Sequence, residues 1–304
     1  MLGHPTLLTV VIPATDNPPT LERCLAALAR SCEPHSVEVV RLPAGSSPAA
    51  ARNLGAARTE GEIVVFVDSD VEVHPDALRR LREALERDPD LDAVFGAYDE
   101  RPAAPNTVSR FRNLLHHHVH VSAPGPATTF WAGLGAIRRH ALHAVGGFDE
   151  RRFARASIED IELGMRLCAA GRRIILDPAA RGTHLKRWTL RSMLRTDLVA
   201  RGAPWVALQL DRGQAGGSLN LSWRHRIAAA AAVLATGAAA TRRPWLAALA
   251  LLVMTGANLR FYTLLARQGG VRLALAGVPL HLLHHLAAAA SVPAGWLLWV
   301  KHRG

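Results

Sequence analysis

Apolar residues in the first hundred positions gather into four short runs, Leu7 to Ile12, Val37 to Leu42, Ile63 to Val67 and Ala93 to Ala97. Runs of this length, rich in β-branched residues and closed by Pro, Gly or Asp, predict buried parallel strands. Between them the apolar positions return at helical spacing. Leu21, Leu25 and Leu28 share a face over Thr20 to Arg30, and Leu78, Leu81 and Leu85 do so over Pro75 to Arg87. Pro48 to Ala57 reads as a third helix. Strand and helix in alternation predict an α/β fold: a mostly parallel, Rossmann-like sheet with helices on both faces.

The pattern changes near residue 187. From Trp188 to Leu210, Leu190, Met193, Leu194, Leu198 and Trp205 interleave with Arg187, Arg191, Arg195 and Arg201. This basic amphipathic pattern suits a helix lying at an anionic surface, or one packed on the α/β domain. Beyond it, Ile227 to Ala240, Pro244 to Leu259 and Val271 to Val300 are almost wholly apolar and flanked by arginine or lysine. Only the last exceeds the roughly 20 residues a helix needs to cross a bilayer. The expected organisation is therefore 1–187 as the α/β domain, 188–224 as an interfacial segment and 225–304 as membrane-embedded helices. A helical subdomain of a soluble protein is the competing reading.

Charge supports the membrane. The net charge is +11, yet all 25 acidic residues lie at or before Asp211, where they nearly balance the basic ones, and ten arginines and lysines follow with no acid among them. A basic, acid-free, apolar tail points to anionic lipid rather than to nucleic acid. Six of the seven tryptophans lie from Trp188 onward, as an interfacial belt requires. Met1 to Ala14 lacks the pattern of a signal peptide. The expectation is a plasma-membrane or inner-membrane protein with its front domain on the cytosolic side. Cys24, Cys32 and Cys168 have neither CxxC nor zinc-finger spacing, so no disulfide framework is encoded.

The third predicted strand ends in Phe66-Val67-Asp68-Ser69-Asp70, two carboxylates one residue apart where the chain leaves the sheet. Such a pair repels itself unless a cation intervenes. A divalent ion with a diphosphate supplies that charge, because Mg2+ takes one or two carboxylates and fills its shell with phosphate oxygens and water. A surface turn with a helix-capping Asp is the plainer alternative. No GxGxxG and no Walker loop is present.

Val10-Val11-Ile12-Pro13-Ala14, Ala51-Arg52-Asn53-Leu54-Gly55, Phe66-Val67-Asp68-Ser69-Asp70, Gly146-Gly147-Phe148-Asp149-Glu150 and Glu159-Asp160 occur in this order. Together they closely resemble family 2 glycosyltransferases of the GT-A fold, over roughly residues 7 to 190. The resemblance implies a nucleotide-sugar donor bound at the sheet and a divalent metal, Mg or Mn, at the diphosphate. It makes Asp68 and Asp70 ligands of metal and nucleotide, Arg52 and Asp16 further nucleotide contacts, and Asp160 the general base of an inverting displacement. Gly147, Phe148, Asp149 and Glu159, with Arg187 and Trp188, fall where the donor sugar or acceptor is met. The assignments make chemical sense: a sugar hydroxyl needs a base, and a nucleoside diphosphate leaves only when its charge is neutralised. The plainer role for Glu159 and Asp160 is to favour a helix N-terminus.

Two departures touch the donor. Thr15 replaces an aromatic residue that many relatives carry after the first strand, and Arg41-Leu42-Pro43-Ala44-Gly45 stands where an Asp-rich turn contacts the base. Thr183-His184-Leu185-Lys186-Arg187-Trp188 resembles the Gln-x-x-Arg-Trp element of processive members with His184 in place of Gln. His184 is a candidate third metal ligand, since neutral imidazole suits Mn, or a hydrogen-bonding histidine near the membrane face. Trp188 offers a stacking face or an interfacial anchor. His116 and His120 share a helical face without the Glu of a zinc protease, and read as an acceptor-facing or membrane-facing patch. His281, His284 and His285 lie inside the last apolar run, where ionisable groups mark function or helix contacts.

The sequence thus predicts a membrane-associated inverting glycosyltransferase moving a sugar from a nucleotide-sugar donor to a lipid-linked or lipid-proximal hydroxyl. A polyprenyl-phosphate sugar synthase, or a non-catalytic membrane module on a decayed GT-A fold, are the alternatives.

Overall fold

The computed structural model describes residues 8–15, 17–43, 45–213 and 223–303. The chain divides into two units: Met1–Ala103 with His120–Lys186, and Ala104–Val119 with Arg187–Gly304.

The first unit is built on a mixed sheet. Strands β1 (Leu8–Thr15), β2 (His35–Leu42), β3 (Ile63–Val67), β4 (Val71–Val73), β5 (Leu91–Tyr98), β6 (Gly125–Pro126), β7 (Leu134–Arg138) and β8 (Arg173–His184) run in the order β2-β1-β3-β7-β5-β8-β4, with β6 also on β8. The pairs β1–β2, β1–β3 and β5–β8 are parallel. Helices α1 (Leu21–Ala29), α2 (Pro48–Ala57) and α3 (Ala77–Arg87) connect them. All four predicted strands and all three predicted helices are present. The mostly parallel sheet is present too: β7 enters between β3 and β5, antiparallel to both, so β5 runs in the same direction as β1, β2 and β3 without pairing with them, and pairs in parallel with β8. β2 departs from the expected burial: it is the edge strand and much of it is open to solvent, whereas β3 is buried throughout. Phe66, Phe95 and Phe130 fill the core, each contributing roughly 2–3 kcal/mol by leaving water.

Two local features fix the two helices that carry site residues. Helix α2 begins where Ser47 accepts a hydrogen bond from Ala49 N at 3.1 Å, with Pro48 as its first residue. Helix α6 (Glu159–Ala169), which comes after the short α5 (Arg139–Ala144), lies flat on the chain before β7. A Cβ at Gly164 would stand 2.2 Å from the Phe130 nitrogen, so only glycine permits this approach.

The second unit is helical: α4 (Thr107–Val121, its last two residues counted with the first unit), α7 (Leu190–Arg195), a π-helical stretch (Thr196–Gly202), α8 (Ala203–Arg212), α9 (Trp223–Ala240), α10 (Pro244–Ala257) and α11 (Leu259–Arg303). The predicted amphipathic helix from Trp188 to Leu210 is therefore three pieces. The first is opened by a capping box between Thr189 and Ser192, and its Met193 is fully buried beside Phe111, Phe261 and Leu265. Helix α11 is bent at Gly269 and Gly270. An alanine face of α9, Ala228, Ala231 and Ala232, packs with Met254 of α10.

Candidate active site

In open α/β sheets ligands gather beyond the carboxyl ends of the strands, and here the turn after β3 is held on both sides. Asp68 N donates to Gly133 O at 3.1 Å, and Leu185 N donates to Asp70 O at 2.8 Å. Ala132, next to Gly133, donates its N–H to Asp160 Oδ2 at 3.2 Å, and Asp160 Oδ1 accepts from Ile161 N at 2.8 Å. Asp68 of the turn and Asp160 in the first turn of α6 are thus fixed to one short piece of backbone, Ala132-Gly133, while Asp70 is held by Leu185.

Arg52 links α2 to this arrangement. Its guanidinium is buried and donates to Asp68 Oδ1 at 2.7 Å and to Glu159 Oε1 at 2.8 Å. It also lies over the Phe148 ring at 5.4 Å. Phe148 is fixed in turn by Asn53, whose Oδ1 accepts from Phe148 N and whose Nδ2 donates to Phe148 O, both at 2.8 Å. The preceding Gly147 has φ +71 and meets the Asn53 side chain so closely that a Cβ would lie 2.6 Å from Oδ1. The two sequence motifs carrying Arg52-Asn53 and Gly147-Phe148 are one structural piece. Asp149 closes the turn, with Oδ1 accepting from Arg151 N and Arg152 N.

On the other side of the turn His184 Nε2 stands 3.4 Å from Asp70 Oδ2. Its ring stacks on Tyr98, centroids 4.2 Å apart, and Tyr98 meets Trp131 edge-on at 4.7 Å. These contacts set the electrostatics. Burial, together with Asp70 and Glu159, raises the Asp68 carboxyl above the usual range although Arg52 opposes it. For Asp70, burial is outweighed by the hydrogen bond and charge of His184 and by Lys186, and its carboxyl is lowered. Burial and the charges of Asp68, Asp70 and Glu72 push the Cys24 thiol up to about 12. Burial works against the Arg52 charge, but Asp68, Glu159 and Asp160 hold it firmly cationic.

The donor set is suited to a divalent cation in part. Asp70 and His184 face each other and offer one carboxylate and one imidazole, a pair that suits Mn2+. Asp68 has one oxygen committed to Arg52. Among the described residues no group of three His, Cys, Asp or Glu side chains is placed to enclose an ion. The pair fits a cation whose remaining ligands are phosphate oxygens and water.

Of the residues expected from sequence, Arg52, Asp68, Asp70, Gly147, Phe148, Asp149, Glu159, Asp160 and His184 belong to the first unit. Asp16 lies outside the described residues. Arg187 and Trp188 fall in the second unit, Arg187 exposed and Trp188 buried in its apolar core. His120 is buried too, its Nδ1 within 3.1 Å of Gly96 O. Sequence reasoning misses Tyr98, for which the strand-end position of an aromatic is the only signal.

Residues 29–146 match the model of the family described as "Glycosyl transferase family 2". The chain is 30% identical over 257 residues to the "Pre-mycofactocin glycosyltransferase" of Mycobacterium tuberculosis, covering 76% of this chain and 51% of that protein. It is 30% identical over 148 residues to the "Probable glycosyltransferase YdaM" of Bacillus subtilis, covering 45% and 33%. The chain thus spans about half the length of the longer-matching relative. Among solved structures, a mannosyltransferase from Pyrobaculum calidifontis in complex with GDP-Man and Mn2+ superposes with a TM-score of 0.54 at 16% identity. That match covers 100% of this chain and 89% of the other, and it shows a shared fold.

Proposed function

We propose, from the family 2 glycosyltransferase match over residues 29–146 and the shared GT-A fold, that the chain is an inverting glycosyltransferase, taking a sugar from a nucleotide-sugar donor to a hydroxyl on a lipid-linked or lipid-proximal acceptor at a membrane. The observation that carries the reading is that Asp68 and Asp160 are bonded to the adjacent residues Gly133 and Ala132, with Arg52 on Asp68 and Asp70 two residues along the same turn.

In this reading Asp160 takes the proton of the acceptor hydroxyl, whose oxygen attacks the anomeric carbon on the face opposite the leaving diphosphate, so configuration inverts. Arg52, held by Glu159, supplies a fixed positive charge beside the diphosphate. Asp70 and His184 would hold the divalent cation, with its other ligands drawn from the diphosphate and water. When bound, such an ion neutralises charge on the departing diphosphate.

Membrane association rests on the second unit. Leu259–Lys301 has mean hydropathy 1.5 over its most apolar window, and the part of it after the break at Gly269 and Gly270 is by itself longer than the roughly 20 residues a helix needs to cross a bilayer. Trp223, Trp245, Leu252 and Val271 expose more than two thirds of their surface, an apolar exterior that a bilayer would cover. Residues 188–224, of which 214–222 lie outside the described residues, would then belong to the interface and the first unit to the cytosol, at the plasma or inner membrane. The name of the M. tuberculosis relative favours a second acceptor class, pre-mycofactocin.

The test is a donor screen on the purified full chain, read as released nucleoside diphosphate with and without Mn2+, each donor offered with lipid-linked acceptors and with pre-mycofactocin. Release with one donor, dependent on metal and acceptor, is expected. No release with any donor would return the chain to a non-catalytic role.

A further inference from the structure

The second unit contains a group of histidines that glycosyl transfer does not use. His281 and His285, one turn apart on α11, are fully buried with ring centroids 4.4 Å apart. His281 Nδ1 meets the Tyr262 hydroxyl at 3.1 Å. Its Nε2, and both ring nitrogens of His285, are buried without a hydrogen-bond partner. His225 of α9 stands 5.4 Å from the His285 ring and 6.2 Å from that of His284. Every imidazole brings at least one N–H, and an unpartnered polar group in an apolar interior calls for an occupant.

The charges around this group are mostly of one sign. His118 of α4, half-buried, is held below the ordinary histidine range first by burial and then by His117, Arg224 and Arg260. Arg224, exposed and next to His225 on α9, donates Nε and Nη2 to Ala257 O at 3.1 and 2.7 Å, and Arg260, also exposed, precedes Phe261, whose ring lies 5.3 Å from that of His281. The acid of the cluster, Asp197, is already engaged, by Arg112 at 2.7 Å and by His284 Nδ1 at 2.8 Å. No acidic residue follows Asp211 in the sequence. A cation would add to the surplus, and among the described residues no group of three side chains is placed to hold one. A phosphate, with several acceptor oxygens and negative charge, answers both the ring N–H groups and the arginines. The same helices present a long apolar surface, which suits the chain of an amphiphile.

We propose that the histidine group of α9 and α11, with Arg224 and Arg260 as its outer cations, binds the phosphate of an amphiphilic ligand. Free inorganic phosphate offers the same chemistry, and the experiment separates the two sources. The full chain in neutral detergent is titrated with dodecyl phosphate, dodecanol and inorganic phosphate, following its thermal midpoint and tryptophan fluorescence. Dodecyl phosphate should bind saturably and about 10-fold or more tighter than dodecanol, because charge-assisted hydrogen bonds carry the difference. The Arg224→Gln/Arg260→Gln variant changes only exposed positions and should lose most of that preference. His285→Phe keeps an aromatic ring without nitrogens and should lose it as well, with His225→Gln as the substitute where His285→Phe does not fold. Inorganic phosphate competing at equal concentration would support the anion site and assign it to the free ion. Equal binding of dodecyl phosphate and dodecanol, or a preference unchanged in the arginine and His225 variants, overturns the proposal. No sugar turnover is measured, so the result stands apart from the fate of the glycosyltransferase reading.

Discussion

His184 lies flat on Tyr98, with ring planes 15° apart and centroids at 4.2 Å. The stack fixes the imidazole so that Nε2 faces Asp70. If this pair holds the cation, His184→Ala should raise the Mn2+ concentration needed for half-maximal turnover. Tyr98→Leu, which leaves both ligands and frees the ring, should raise it less, within the roughly 10- to 100-fold range typical of residues that orient a ligand. A metal titration of turnover for the three proteins decides the matter. Unchanged metal dependence in His184→Ala removes His184 from the ligand set.

Asp160→Asn keeps shape and loses basicity. Turnover should fall about 100-fold or more, since general-base catalysis contributes on that order, while donor affinity measured by calorimetry stays near that of wild type. A polyprenyl-phosphate acceptor, already an anion, would need no base, and only a mild loss would favour that acceptor class.

Arg52 holds two carboxylates, and Glu159 is as buried as Arg52 itself. Arg52→Ala leaves Glu159 without its buried counter-charge, which should cost about 3–5 kcal/mol. Glu159→Gln keeps a hydrogen-bond acceptor for Arg52 and should cost less. Thermal melts of the full chain in detergent measure both. Equal melting of Arg52→Ala and wild type would show that the pair contributes nothing to folding.

Asp99 offers a prediction in pH. Burial opposes its charge, but hydrogen bonds from His74, Thr183 and the Arg101 N–H outweigh it and hold the carboxyl below the usual range. A carboxyl with a depressed folded value contributes stability that is complete above its unfolded value, near pH 3.9. That contribution is lost as pH falls through the folded value. Asp99→Asn should therefore melt below wild type at neutral pH, and the gap should close as the pH is taken below about 4. A gap that stays constant down to the acid limit contradicts the linkage.

The elements that could be read from sequence are those whose own residues dictate them. Val64, Val65 and Phe66 are buried wherever they pack, so β3 announces itself. β8 does not, because Pro178, Arg181 and Gly182 interrupt it and its strand character comes from pairing with β5 and β4. β4 is three residues long and exists through its partner. The site divides the same way. Asp68 and Asp70 are conspicuous as a motif, but the Arg52–Glu159 contact spans 107 positions and depends on α6 lying against Thr129 and Phe130 over Gly164. No local pattern encodes that distance. Trp188 belongs to a recognisable motif, yet its surroundings are decided by Phe111 and Phe261, residues without chemical signature.

Ala132 binds Asp160 through its N–H, and Gly133 binds the Asp68 N–H through its C=O. One peptide link, about 3.8 Å between Cα atoms, therefore gauges the span between the end of β3 at Asp68 and the start of α6 at Asp160. A substitution that widened one end would drag the other with it.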